Sequence, residues 1–334
     1  MKKSLLALAV LGAFAATASA QSSVTIYGLL DQSVAKGNTG TAPNAGAPAG
    51  DAWTVQQSAG SRLGFRGNED MGGGLSAQFQ IEHRFNPDNG GLTNAASFWG
   101  GRSYVQITSA AVGSVYMGRE YTPAFWPAVK SDPFGWDGVG QIGAAAWAGY
   151  LTPNNGGVRS SNTVGFRSAN WGGLTVQAAV GLSETSGTGR VQGFNVEYSG
   201  GPIYAGLGYE SIENGSAAND GQNVVNVAFH YDLGVAKLMA YYAKAGTGNL
   251  GNDDSNVFSF GTRVPLGGGV LKAQVNRQTF KAPNPDLKLT KFGIGYDYFL
   301  SKRTNVYVDF GQGKSSAAGV TNKSAYAVGM KHVF

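Results

Sequence analysis

The side chains that most often carry out catalysis are scarce in this chain. Among its 334 residues there are three histidines and no cysteine, which excludes thiolate chemistry and disulfide bonds and disfavours a histidine-based metal site. His83 lies between Glu82 and Arg84, but no nucleophilic serine with a partnered acid completes a catalytic set. We therefore predict no catalytic, metal or cofactor site, and we expect His83 to face an internal space or to lie at the base of a loop.

The charged side chains are more informative, because they recur at alternate positions of runs that are otherwise apolar or small. Arg62 and Arg66 are separated by Leu63, Gly64 and Phe65, and Lys291 and Asp297 flank another such run. In a β-strand, residues an even number of positions apart share a face. What these charges can bind therefore depends on the elements that carry them.

Alternation with a period of two dominates the chain after residue 20. The run 173–182 has one fully apolar face, formed by Leu174, Val176, Ala178, Val180 and Leu182. The same pattern recurs around Phe79, Val105 and Ile294. Such alternation is typical of strands with one apolar face and one face in water.

Sixteen such runs are separated by two kinds of connection that alternate strictly. The short turns cover 67–74, 109–113, 168–173, 199–202, 231–234, 264–269 and 299–303, and the longer loops cover 37–51, 86–100, 121–158, 184–189, 213–221, 245–254, 281–287 and 314–321. Tyrosine and phenylalanine cluster near the run ends, as expected of residues at a membrane interface. The pattern predicts an all-β fold, a 16-stranded antiparallel transmembrane β-barrel with both termini on the short-turn side.

The amino terminus has the composition of a secretory signal. Lys2 and Lys3 precede an apolar run, and Ala18, Ser19 and Ala20 resemble a cleavage site. We predict a signal peptide at 1–20 and a mature chain at 21–334. Removing the two lysines lowers the formal charge from +5 to +3, and the absence of a basic block makes nucleic acid an unsuitable partner.

The carboxyl terminus ends on an aromatic residue, which closure of a barrel explains. An open sheet edge in lipid leaves unpaired backbone groups that cost several kcal/mol each, so the first and last runs must pair. Counted back from Phe334, the residues that share its face include Tyr326, Val328 and Met330. We therefore predict that Phe334 and Tyr326 face outward on the closing strand, as a closure signal at the membrane interface.

The parity of each strand assigns charges to the water-filled interior. The basic residues assigned inward are Arg62, Arg66, Arg84, Arg102, Arg159, Arg167, Arg263, Lys272, Lys291, Arg303 and Lys237, and the acidic ones are Asp31, Glu82, Glu197, Glu210, Asp297 and Asp309. Basic residues thus exceed acidic ones by about eleven to six. Because a low-dielectric wall focuses this field on the interior, we predict a weak preference for anions.

Several spaced motifs resemble the trimeric general porins of beta-proteobacteria, over the whole of the mature chain. They include SSVTIYGLLD, SRLGFRGNEDMGGGLSAQFQIE, GSVYMGREYTP, YDLGVAKL, YDYFLSKRTNVY and the terminal GMKHVF, in the family's order. The resemblance implies an outer-membrane channel for passive diffusion of small hydrophilic solutes and ions, exported through a cleaved signal peptide. It also implies that the third external loop, 121–158 here, folds into the lumen.

The resemblance further implies an arginine cluster at the constriction that faces acids of the infolded loop. Arg62 and Arg159 match two of its positions, and Gly101 followed by Arg102 departs from the family at a third. The predicted constriction comprises Arg62, Arg159, Arg102, Arg66, Arg84, Asp132, Asp137 and Glu82, with the two aspartates as loop counter-charges. The alternative is that each arginine only pairs with a lumen carboxylate and supports the wall.

Two other functions stay open at this point, a substrate-specific channel and an outer-membrane barrel enzyme such as a lipase or protease. Expected partners are two further copies of the chain, outer-membrane lipid and lipopolysaccharide, the barrel-assembly machinery, and small hydrophilic solutes and anions. Small residues assigned to the outer face of the first strand, Gly28 and Ala35, would give trimer contacts a flat surface.

Overall fold

The computed structural model describes residues 23–148, 150, 157–184, 189–213, 220–247, 255–281 and 285–334. The predicted signal peptide at 1–20 and positions 149 and 151–156 of the third loop lie outside these ranges. No helix among the described residues is long and apolar enough to cross a membrane.

Sixteen long antiparallel strands form one closed barrel, which confirms the predicted number and order. They are β1 Ser23–Gly37, β2 Arg62–Gly72, β3 Leu75–Asn86, β4 Ser103–Ser109, β5 Gly113–Tyr121, β6 Arg159–Ser168, β7 Leu174–Gly181, β8 Arg190–Gly200, β9 Ile203–Glu213, β10 Gln222–Asp232, β11 Lys237–Thr247, β12 Ser255–Leu266, β13 Gly269–Phe280, β14 Leu287–Phe299, β15 Thr304–Ser315 and β16 Lys323–Val333. Each strand pairs with the next along the chain. Two shorter strands, Trp53–Gln56 and Gly91–Leu92, pair with β1 and β3 within the first two loops.

The seam between β1 and β16 closes the barrel. Their register runs from Leu29 opposite Val333 to Gly37 opposite Ala325. Phe334 extends it by one residue: its N–H donates to the Gly28 carbonyl at 3.1 Å and its carbonyl accepts from the Gly28 N–H at 3.0 Å. The Phe334 ring covers the space that a side chain at Gly28 would need. Phe334 is therefore part of the wall.

The outer and inner faces differ as the alternation predicts. On β14, Phe292 and Ile294 are exposed on the outer face, whereas Lys291 is 5% exposed on the inner face. Tyr326 is exposed on the outer face of β16, as predicted. The assignment of Ala35 to the outer face is wrong, because Ala35 shares the inward parity of Asp31 and is fully buried.

The third loop, named loop 3 here (122–158), folds inward and packs on the inner wall. It contains a short helix, α1 (Phe125–Lys130), and a 3-10 helix (Gly143–Trp147). Its apolar residues form the largest buried cluster with wall residues of β8 to β12, and the cluster includes Phe125, Ile142, Trp147, Tyr150, Val191, Tyr204, Ile212, Val224, Tyr241 and Val257. Because full burial of one large apolar side chain contributes roughly 1.5–3 kcal/mol, this cluster holds loop 3 against the wall.

The first loop, named loop 1 here (38–61), also turns inward, which the sequence did not predict. Lys291 Nζ donates to the Ala45 carbonyl at 2.8 Å, and Ala42 is fully buried. The Gly138 N–H of loop 3 donates to the Ser58 carbonyl of loop 1 at 3.1 Å. The two loops together cover the inner face of β14 to β16.

Candidate pore constriction

Wall side chains hold the backbone of loop 3 through a series of hydrogen bonds. Asn226 Nδ2 donates to the Ala124 carbonyl at 2.9 Å, and Gln274 Nε2 donates to the Gly140 carbonyl at 2.8 Å. Further along, the Tyr241 hydroxyl donates to the Ala146 carbonyl at 2.8 Å. Carbonyls that a loop would otherwise leave buried without partners are thus satisfied by the wall.

Glycines on the inner face let the backbone of loop 3 approach the wall closely. A Cβ atom at Gly311 would collide with the Val139 carbonyl oxygen, and one at Gly293 would collide with the Gly140 carbonyl oxygen. A Cβ atom at Gly208 would lie 2.9 Å from the Ala124 Cα. Absence of a side chain at these positions therefore determines which part of the lumen loop 3 fills.

A cavity of about 560 Å³ lies in the lumen between loop 3 and the wall around β1 to β6. Six of the eight residues predicted for the constriction line it: Arg62, Arg84, Arg102, Arg159, Glu82 and Asp137. The arginines come from the barrel wall. Trp126, Val129 and Trp136 form much of the opposite side, on loop 3.

Arg84 and Arg159 converge on the hydroxyl of Tyr121. Arg84 Nη2 donates to it at 3.1 Å and Arg159 Nη2 at 2.6 Å, and the Arg159 guanidinium also lies 4.3 Å from the centre of the Tyr121 ring. Arg84 in addition donates to Glu82 at 2.7 Å. Arg84 is thus neutralised locally, whereas no carboxylate among the described residues forms an ion pair with Arg159.

Arg102 is held by a fully buried acid that the inward count omitted. Glu120 is 0% exposed and pairs with Arg102 at 2.6 Å and with Arg167 at 2.8 Å. The β5 register shifts between Gly118 and Glu120, and Gly118 has a φ of 135°, a value that glycine adopts at little cost. Glu120 has the same parity as the buried Ser114 and Tyr116 on β5, so alternation alone could have identified it. Beyond the register shift, Tyr121 also lines the lumen.

Arg62 is the least neutralised cation of the cavity. Its guanidinium forms no hydrogen bond or ion pair with any described residue, and its Nε is buried without an acceptor. The sequence left two roles open for the arginines, in the constriction or as wall supports paired with carboxylates. Arg84 and Arg102 are paired with carboxylates and support the wall. Arg62 and Arg159 keep an unneutralised positive charge beside the open lumen.

Asp137 is close to the expected position, and its main partner is a wall lysine. Its carboxylate lies 3.5 Å from Lys331 Nζ on β16. Crowding by protein atoms raises the pKa of Asp137, and the charges of Lys331 and Arg62 oppose that rise. Asp137 thus balances Lys331 more closely than it balances the arginine cluster.

The expectation that Asp132 faces the lumen as a counter-charge is wrong. Asp132 is 3% exposed and accepts backbone N–H groups of Phe134 at 2.9 Å, Trp136 at 3.1 Å and Ile142 at 2.9 Å. Burial raises its pKa to about 6, although these donors and the nearby Lys291 favour the charged form. Asp132 therefore fixes the turn of loop 3 from inside.

Three other charge assignments also change. Arg66 does not line the cavity, and its guanidinium lies 5.6 Å from the centre of the Tyr27 ring. Arg303 lies in the exposed turn 300–303 between β14 and β15, outside the lumen wall. Lys331, missing from the inward count, faces Asp137 inside the barrel.

His83 lies at a loop base on the outer face, the second of its two expected positions. Its ring stacks on Phe98 with centres 4.1 Å apart, and its Nδ1 lies 2.7 Å from the Phe98 carbonyl oxygen. Within the described ranges, no group of three or more histidine, aspartate or glutamate side chains could hold a metal ion.

A closed β-barrel with an apolar outer face, a charged inner face and a lumen narrowed by an infolded loop defines a membrane channel. Comparison with known proteins agrees with this class. The chain belongs to the Gram-negative porin family, whose model matches residues 7–318. It is an outer-membrane porin, a channel for passive diffusion.

Two relatives match almost the full chain. Outer membrane porin protein 32 of Delftia acidovorans is 34% identical over 99% of this chain and 95% of its own length. An outer membrane porin of Bordetella pertussis is 29% identical over the full length of both chains.

Solved structures show the same architecture. The anion-selective porin from Comamonas acidovorans superposes with a TM-score of 0.78 at 29% identity, covering 94% of this chain and all of that one. The trimer form of OmpT of Vibrio cholerae has a TM-score of 0.67 at 17% identity, covering 94% of this chain and 99% of that one, and shows only that the fold is shared.

Proposed function

We propose that this porin conducts small anions in preference to cations. The observation that carries the proposal is the unneutralised charge of Arg62 and Arg159 beside the open lumen, on the side of the constriction opposite loop 3. Acids that could cancel the remaining arginines are already engaged with Arg84 and Arg102. In a narrow passage with low-dielectric walls, such an excess raises the local concentration of anions. Similarity to a porin described as anion-selective supports the proposal.

Reversal potentials of the purified protein in a planar bilayer test this function. With a potassium chloride gradient across the membrane, we expect the sign that corresponds to chloride permeating more readily than potassium. The preference should weaken as salt rises, because ions screen the lumen charges. A potential of the opposite sign would contradict the proposal.

We propose that the channel is a homotrimer in lipid and lipopolysaccharide. An apolar groove of about 530 Å³ on the outer face of β1 to β5, lined in part by Val24, Val105 and Met117, gives a second copy a surface to pack on, and a trimer form is known for a neighbour of the same fold. Voltage-induced closure of each inserted unit in three equal steps would support it, and closure of each unit in one step would contradict it.

The two ends of the chain are assigned to export and membrane insertion. We propose cleavage of the chain after Ala20 and recognition of the closing strand, with Phe334 and Tyr326 on its outer face, by the barrel-assembly machinery. Mass spectrometry of the mature protein tests the cleavage site, and loss of insertion on deletion of Phe334 tests the recognition.

We propose no catalytic role. The surroundings of His83, an aromatic stack and a backbone carbonyl, support this, since a hydrolytic site needs a nucleophile and an orienting acid beside the base. Hydrolysis of lipid or peptide substrates by the purified protein would contradict it.

A further inference from the structure

The two sides of the constriction differ in chemistry as well as in origin. The wall side presents guanidinium groups and the loop side presents aromatic rings, and both line the same cavity of about 560 Å³. That volume lies within the range of small-molecule sites, which are mostly apolar with a few placed polar groups. A passage that served only inorganic ions would not need the aromatic side.

The aromatic side is a packed cluster that presents two tryptophans. Phe125 stacks on Tyr121 with centres 4.6 Å apart, and the Trp126 ring meets Phe125 edge-on at 5.9 Å. The Trp136 ring meets Phe125 edge-on at 5.2 Å. Phe125 is buried, whereas Trp126 and Trp136 are partly exposed and line the cavity. The buried ring thus supports two rings that a solute can touch.

Trp136 is held in a conformation that tryptophan rarely adopts. Its φ of 65° lies in the left-handed region, a strained conformation that persists in a bulky residue only where its surroundings impose it. The Asp132 carboxylate imposes it by accepting the Trp136 N–H at 3.1 Å. Strain of this kind, maintained at a position that lines the cavity, points to function.

Nitrogen donors without acceptors lie on both sides of the cavity. Arg62 Nε, Arg159 Nε and Trp136 Nε1 are buried with no acceptor among the described residues. A carboxylate offers two acceptor oxygens in one plane, which matches the fork of a guanidinium. A ring attached to that carboxylate would extend toward Trp126 and Trp136.

We propose that the constriction is a transit site for small aromatic monocarboxylates, with the carboxylate on Arg62 and Arg159 and the ring against Trp126 and Trp136. The inference rests on the proposed anion conduction and names a class of solute within it. Affinity is weak, because a solute must leave the site for transport to proceed.

Block of the chloride current by two matched acids tests the proposal. Benzoate and cyclohexanecarboxylate carry the same charge and have rings of similar size, but only benzoate has an aromatic face. We expect benzoate to half-block the current at a concentration about fivefold lower, since an aromatic pair adds about 0.5–1.5 kcal/mol beyond area burial. Equal half-blocking concentrations, or no saturable block by either acid, would overturn the proposal.

The variant W126L separates the aromatic contribution from general packing. It should raise the half-blocking concentration of benzoate to that of cyclohexanecarboxylate, and W171L, at the exposed Trp171 between β6 and β7, should leave the difference intact. A fivefold preference that survives in W126L would count against the assigned ring site.

The same recordings distinguish this inference from the proposed function. A reversal potential of the sign that indicates cation preference would contradict the proposed anion conduction, on which the aromatic transit site rests. A reversal potential that indicates anion preference, combined with equal half-blocking concentrations of the two acids, would support the anion channel and contradict only the aromatic transit site.

Discussion

The two sides of the lumen wall carry residues of very different size, and this difference positions the pore. On β2 to β6 the inner face carries Arg62, Arg84, Arg102 and Arg159, and the lumen beside them stays open. On β9 and β14 to β15 the inner face carries glycines such as Gly208, Gly293 and Gly311, and loop 3 lies directly on them.

Side-chain volume and charge are thus distributed together around the barrel. Glycine admits backbone at van der Waals distance, whereas arginine both occupies the space and is costly to cover without a partner. Loop 3 therefore settles on the side with small residues and leaves its free face toward the arginines. The constriction is off-centre because the wall is asymmetric.

The largest effect should come from adding volume on the glycine side. In Gly311→Leu the new side chain collides with the Val139 carbonyl, so loop 3 should leave the wall and single-channel conductance should change by about twofold or more. V308L, on the outer face of the same strand, is the matched control and should conduct like the parent. A folded Gly311→Leu channel with unchanged conductance would show that the glycines do not position loop 3. If the leucine variant does not fold, Gly293→Ala gives the same test with a smaller side chain.

Charge reversal on the arginine side should give the next largest effect. Arg62 has no ion-pair partner among the described residues, so Arg62→Glu replaces an unpaired positive charge with a negative one beside the cavity. We expect the chloride-to-potassium permeability ratio to fall several-fold, measured by reversal potential. Arg277→Glu, an exposed position on the outer face of β13, should leave the ratio unchanged, and an equal effect at both sites would contradict a local role for Arg62.

Removing an acid from the arginine side should have a moderate effect of opposite sign. In Glu120→Gln the side chains of Arg102 and Arg167 lose their shared carboxylate, so the anion preference should increase. Breaking a buried pair also costs about 3–5 kcal/mol, so the unfolding temperature of the barrel should fall. Glu213→Gln, at an exposed pair on the rim, is the control, and identical behaviour of the two variants would contradict the assignment.

The smallest effect concerns protonation of Asp132 inside loop 3. Burial raises its pKa from 3.8 to about 6, so the docked loop binds a proton more readily than a displaced loop does. Docking is then strengthened below about pH 4, and this contribution is lost as the pH rises through about 6. Open-channel current noise should therefore be lower at pH 4.5 than at pH 7.

Asp132→Asn cannot ionise, and its noise should differ little between these two pH values. The control D88N, on the exposed part of the second loop, should keep the pH dependence of the parent. A parent channel that is noisier at pH 4.5 would reverse the sign and contradict the argument.

The sequence predicts the barrel well because each strand residue meets one of two media. Successive side chains face lipid and water in turn, so the polarity of Phe292 and Lys291 indicates the face on which each residue lies. The errors occur where that parity was misapplied: Glu120 was left out of the inward count although it shares the parity of Tyr116, and Ala35 was assigned against the parity of Asp31.

Positions in the loops are harder to predict from the sequence. Asp132 and Asp137 are similar in sequence context, yet one caps backbone amides inside loop 3 and the other meets Lys331 on the wall. Which carboxylate turns inward depends on the path of the loop backbone, and no local period encodes that path. The inward turn of loop 1 escaped prediction for the same reason.

The seam at Gly28 has a consequence for anyone who produces this protein. Because the final backbone pair of the seam involves Phe334 itself, a chain shortened before Phe334 leaves the N–H and the carbonyl of Gly28 without these partners. A purification tag fused after Phe334 would add residues directly at the seam between β1 and β16. An epitope inserted within 88–94, where every residue is exposed, leaves the seam between β1 and β16 intact.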